Sequence, residues 1–137
     1  MTATEGMGVQ LPTPWPPGQA GLRRFWEDLL AAAPDEGALD WEPVFREGIS
    51  YSLRARRPDG ASRPLFALVD IIPQDQWWLS VCFYEDEVSD PEERGLAIPG
   101  GLLGENGYCF DVDEPDAGLL AYLKARLEEA RRAALGN

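Results

Sequence analysis

The sequence contains no histidine and only one lysine, Lys124. Without histidine there is no Ser-His-Asp or Cys-His nucleophile pair, no HExxH zinc site and no Cys₂His₂ finger. A lone lysine cannot be both a phosphate-loop lysine and a Schiff-base lysine, and the setting of Lys124 suits neither. Positive charge is scarce: 12 Lys and Arg stand against 24 Asp and Glu, for a net charge of −12. Nucleic-acid binding needs a cationic footprint, so it is excluded as an expectation. No apolar run approaches the roughly 18 residues of a membrane span. Met1-Thr2-Ala3-Thr4-Glu5 lacks the basic, then apolar, start of a signal peptide, so a cytoplasmic protein is expected. In that compartment Cys82 and Cys109 are expected to be reduced, and they read as small buried hydrophobes. Asp111 and Asp113 near Cys109 disfavour a reactive thiolate. No cofactor is expected.

The chain has the length of one domain: 137 residues, 45% hydrophobic and 26% charged. Folding such a chain buries about two-thirds of its surface, enough for a core without disulfides or metal. Residues 1–18 read as a flexible Pro-rich tail, with Pro12, Pro14, Pro16 and Pro17 around Trp15 as an anchor. Residues 19–137 read as a single α+β domain. Leu22, Phe25, Trp26, Leu29 and Leu30 recur at helical period, with Pro34 as the stop. In the loop from Pro34 to Pro43, Leu39 and Trp41 tuck into the domain.

Ile49 to Arg56 alternates as a half-buried strand, and Pro58-Asp59-Gly60 signals a turn. Leu65 to Ile72 is apolar on both faces apart from Asp70, as in a central strand. Trp77 to Tyr84 is a third strand. An acidic, glycine-rich segment follows without regular pattern, and then a short fourth strand, Tyr108 to Val112. Asp113 reads as the N-cap of a helix from about Glu114 to Leu135, with Pro115 in its first turn and Gly136 closing it. The expected fold is therefore a four-stranded, mainly antiparallel meander sheet packed by an N-terminal and a C-terminal helix. The apolar character of both faces of residues 65–84 predicts either a helix on each face or a homodimer through the sheet face.

Asp70 is an acid inside an apolar run, which needs a partner or a raised pKa. Arg54 or Arg56 on the neighbouring strand is its expected ion-pair partner. Trp77 and Trp78 must point to opposite faces. The face with Trp78, Ser80, Cys82 and Tyr84 is mixed, and Trp78 and Tyr84 are candidates for an interaction surface. The glycine-rich stretch 95–107 lacks a following helix and a lysine, so it is no phosphate loop. It reads as a mobile lid or binding edge held by Leu102 and Leu103. Asp111, Asp113 and Asp116 form a candidate divalent-cation site, although the turn glycine and terminal bidentate acid of a calcium loop are missing. The competing reading is a strand end followed by a capped helix start, where acids favour the helix dipole.

Residues 85–116 carry eleven acids and one arginine, net −10, whereas residues 45–64 carry five arginines and two acids. The leading expectation is a non-enzymatic module that binds a protein with a basic or amphipathic surface. The alternative is a small-molecule or divalent-cation domain with a pocket under the 95–107 loop. A carboxylate dyad is the only acid-base chemistry such a site would easily support.

Overall fold

The computed structural model describes residues 11–31, 41–57 and 61–135. Pro34, Leu39, the Pro58-Asp59-Gly60 turn and Gly136 lie outside these residues. The elements are α1 (Ala20–Leu30), β1 (Trp41–Arg46), β2 (Ser50–Arg56), β3 (Leu65–Ile72), β4 (Trp78–Tyr84), a 3₁₀ turn (Glu85–Glu87), β5 (Leu96–Leu102), β6 (Glu105–Val112) and α2 (Ala117–Ala134). The fold is α+β. Its sheet is antiparallel and six-stranded, in the order β1-β2-β3-β4-β6-β5, where four strands were expected. Among the described residues no helix is long and apolar enough to cross a membrane.

The two unanticipated strands, β1 and β5, are the two edges of the sheet. Each contains a proline, Pro43 or Pro99, and β5 adds Gly100 and Gly101. Proline cannot complete a central ladder, but an edge strand tolerates it. The expected glycine-rich lid is thus a hairpin. Leu103 and Gly104 form its two-residue turn with φ of 51° and 86°, between paired Leu102 and Glu105. Positive φ at both central positions is the turn geometry that matches strand twist.

Strand alternation sorts the side chains into two faces. Tyr51, Leu53, Val69, Ile71, Leu79, Val81, Phe83 and Phe110 share one core with both helices, so α1 and α2 lie on the same face. The expected apolar stripe of α1 is the buried one. Gln19 ties its start to the sheet: the Trp77 amide donates to Gln19 Oε1 at 2.7 Å. Trp15 packs 5.6 Å from the Trp26 ring and 5.1 Å from Trp77, and Tyr51 donates to Thr13 at 3.1 Å. Leu11, Thr13 and Trp15 thus meet the domain, with Trp15 in the anchoring role expected of it, while Pro12, Pro14, Pro17 and Gly18 are exposed.

Helix α2 starts three residues later than expected. Asp116, not Asp113, is its cap and accepts the Gly118 amide at 2.8 Å. Proline disfavours helical backbone at the residue before it, so Pro115 keeps Glu114 out of the helix.

Candidate binding face

The second face of the sheet carries neither helix. Its register places Val44, Ser52, Asp70, Ser80 and Asp111 in one row across five strands. The next row runs Glu42, Arg54, Leu68, Cys82, Cys109 and Leu96. Ile72 and Trp78 are paired on the other side of the Asp70 row. The result is a polar row flanked by apolar patches, Ile72 with Trp78 on one side and Leu68 with Leu96 on the other, the second row ending in the charged Glu42 and Arg54.

Trp77 and Trp78 divide as alternation requires. Trp77 is in the core, whereas Trp78 is half-buried on the open face and donates its indole N–H to Gln74 at 3.1 Å. Asp70 is half-buried between Ser52 and Ser80. It forms no ion pair with Arg54 or Arg56, because register sets Arg54 opposite Leu68 and Arg56 opposite Leu65. Burial pushes its carboxyl above the usual range, against the Ser52 hydroxyl and the charges of Arg54 and Arg46. One of its oxygens, Oδ1, is buried without a hydrogen-bond partner. Asp111 lies in the same row, separated from Asp70 by one strand, at about 9–10 Å between Cα atoms. Asp111 is exposed, and local desolvation, then the neighbouring Asp113 charge, raise its pKa as well.

Three candidates do not belong to this surface. Tyr84 is fully buried, in a small second core with Leu65 and Leu102, which is itself 3% exposed. The Arg63 guanidinium lies 4.1 Å from the Tyr84 ring centroid. Leu103, at the hairpin turn, is 54% exposed. The exposed apolar side chains that sequence reasoning missed include Leu96 and Ile98, at 67% and 39%, and Ile49, expected to open β2 but 62% exposed in the turn before it. Leu96 and Ile98 belong to β5, and their strand had no alternating pattern to reveal them.

The acidic segment is tied down at several points. Arg57 pairs with Glu87, and Arg63 bridges Asp86, Glu87 and Glu105, with nearest distances of 2.8, 3.0 and 2.8 Å. The basic and acidic stretches of the sequence thus meet in space. The Arg63 hydrogen bonds hold the Asp86 and Glu105 carboxyls below their ordinary values. Asp90 forms a second anchor. It accepts the Arg94 and Gly95 amides, each at 2.9 Å, and the hydroxyls of Tyr108 and Tyr122. Burial opposes its ionisation, but these four donors hold its pKa far below the carboxylate range. Ser89 adds a contact to Glu129 of α2 at 2.6 Å.

No family model, curated protein or solved structure matches the chain. Chemistry must therefore be judged from the site alone. Among the described residues no three potential ligands gather as a metal site, and Asp111, Asp113 and Asp116 do not converge. A cavity of about 340 Å³ is lined by Arg63, Glu85, Asp86, Glu105 and Asn106. A groove of about 240 Å³ separates α1 from the start of α2, and a hollow of about 100 Å³ lies by Arg54 and Arg56. None of these three contains Asp70 or Asp111. The expectation of two reduced cysteines is corrected: Cys82 and Cys109 are directly opposed on β4 and β6 and joined by a disulfide.

Proposed function

We propose that the protein is a non-enzymatic binding module whose open sheet face receives an amphipathic protein segment bearing basic residues. One observation carries this reading: the Ser52-Asp70-Ser80-Asp111 row lies between two apolar patches, Trp78 with Ile72 on one side and Leu68 with Leu96 on the other. An amphipathic partner would bury its apolar side chains on those patches and set lysine or arginine against the two carboxylates. Asp111 has no cationic partner among the described residues, and Asp70 retains an unpartnered oxygen. A second copy of the chain is a further occupant with suitable charges, since Arg46 and Arg54 lie across the same face from Asp111. A cytoplasmic setting is part of the proposal on sequence grounds, and the disulfide is the feature that opposes it.

A helical peptide patterned with lysine and leucine is a direct probe. Titrated at low salt, it should change Trp78 emission, read as the difference between the wild type and a Trp78→Phe variant. Replacing Asp70 and Asp111 together by asparagine should weaken binding roughly tenfold and remove most of its salt dependence. Equal affinity of wild type and double variant would sink the proposal. Concentration-dependent dimerisation without peptide binding would assign the face to a second copy instead.

The small-molecule alternative keeps one supporting observation, the polar cavity of about 340 Å³ beside the β5–β6 hairpin. Its mixed lining suits a small ligand with both positive and negative groups. Thermal-shift screening of such ligands on wild type and Arg63→Ala discriminates the two readings.

A further inference from the structure

We infer that Cys82–Cys109 is a surface thiol–disulfide exchange site that opens and closes on the folded protein, with a dithiol as its reducing substrate. The inference does not depend on which partner the open face takes. Three observations carry it.

First, the two cysteines are a directly opposed pair, with Cα atoms 4.1 Å apart. The pairs on either side, Val81 with Phe110 and Phe83 with Tyr108, belong to the same ladder. Phe83 and Phe110 anchor that ladder in the main core. Register is therefore held by hydrogen bonds and packing whether or not the sulfurs are joined, and two reduced thiols remain adjacent.

Second, access is one-sided. Cys82 is 8% exposed, whereas Cys109 is half-exposed. The outer neighbour of Cys109 in the row is Leu96, itself 67% exposed at the sheet edge. An incoming thiolate reaches Cys109 Sγ. Third, the leaving sulfur has a polar neighbour: Ser80 Oγ lies 3.5 Å from Cys82 Sγ. Its hydroxyl is placed to donate to the thiolate that forms there.

The chemistry balances as a two-electron exchange. A thiolate of the dithiol attacks Cys109 Sγ, the Cys82–Cys109 bond breaks, and its electron pair leaves on Cys82, which then takes a proton. The second thiol of the reductant, as thiolate, attacks its own sulfur in the mixed disulfide. Cys109 leaves as thiolate and is protonated. The protein ends as two thiols and the dithiol as an internal disulfide. Oxidation is the reverse, with a disulfide as oxidant.

The full chain, purified without reductant, provides the test. Iodoacetamide should label no cysteine under native conditions. After dithiothreitol in native buffer, the chain should gain the mass of two hydrogen atoms and accept two labels, with near-ultraviolet circular dichroism unchanged. Free thiols before treatment, or reduction only in denaturant, would overturn the site. The direction of attack is tested with single variants and glutathione disulfide. Cys82→Ser, which leaves Cys109, should form the mixed adduct roughly tenfold faster than Cys109→Ser. Equal rates would overturn attack at Cys109. If either variant fails to fold, the labelling of the intact chain still decides the main inference.

Discussion

The two faces of the sheet are built from the same strands and differ in almost every physical respect. The covered face places Leu53, Ile71, Leu79 and Phe83, none more than 1% exposed, against two helices. The open face sets a polar row between apolar patches and leaves a carboxylate oxygen of Asp70 without a partner. One face is closed by both helices, so its residues serve stability. The other keeps an unpartnered Asp70 oxygen beside half-exposed apolar area, which is where association can still gain free energy.

Substitutions should separate the two faces sharply. Phe83→Ala on the covered face should cost about 3–5 kcal/mol in urea unfolding, whereas Trp78→Ala on the open face should cost less than half of that. Similar losses at both sites would mean that the open face is also a core. The disulfide comes next. It closes a 27-residue separation, and its loss should cost about 3.5 kcal/mol by loop entropy, read as the difference between oxidised and reduced unfolding curves.

Asp90 joins the acidic segment to α2, and Asp90→Asn should cost about 2 kcal/mol through weaker charge-assisted hydrogen bonds. Its folded pKa is depressed, so its contribution is present above the ordinary carboxylate pKa and is lost as pH falls through the folded value. The same contact weakens at the other extreme. Tyr108 is pushed up to about 12 by its hydrogen bond to Asp90, so its contribution is full below the usual tyrosine pKa and is lost as pH rises through the folded value. The smallest effect has the opposite sign. Burial raises the Asp70 pKa, so ionised Asp70 opposes folding at neutral pH and not below the ordinary carboxylate range. Asp70→Asn should therefore stabilise the fold at pH 7, and the gain should vanish below the ordinary carboxylate range. A gain independent of pH would refute burial as the cause.

Periodicity made α1, β2, β3, β4 and β6 legible, because each has one face or both in contact with a core. It also divided Trp77 from Trp78. It missed β1 and β5 because edge strands are free to hold Pro43, Pro99 and adjacent glycines, the residues that otherwise mark loops. The late start of α2 was readable in principle from Glu114-Pro115. The candidate binding face was legible only in fragments. Asp70 and Trp78 stood out within their own strands, but the Asp70–Asp111 row and the Cys82–Cys109 pair are properties of register. Register is set by β4 pairing with β6 while β5 passes to the outside, and no single-strand pattern encodes that choice.

The prolines at the two margins have a consequence for solubility. A sheet with an uncovered face and exposed Leu96 and Ile98 invites stacking of copies into fibres. Pro43 and Pro99 each remove one amide hydrogen from a margin, and β5 is additionally bent by an irregularity between Ile98 and Leu102. A neighbouring chain cannot extend a regular ladder on either side. The molecule can thus keep a sticky face in crowded solution, because growth that starts there has no straight margin along which to propagate.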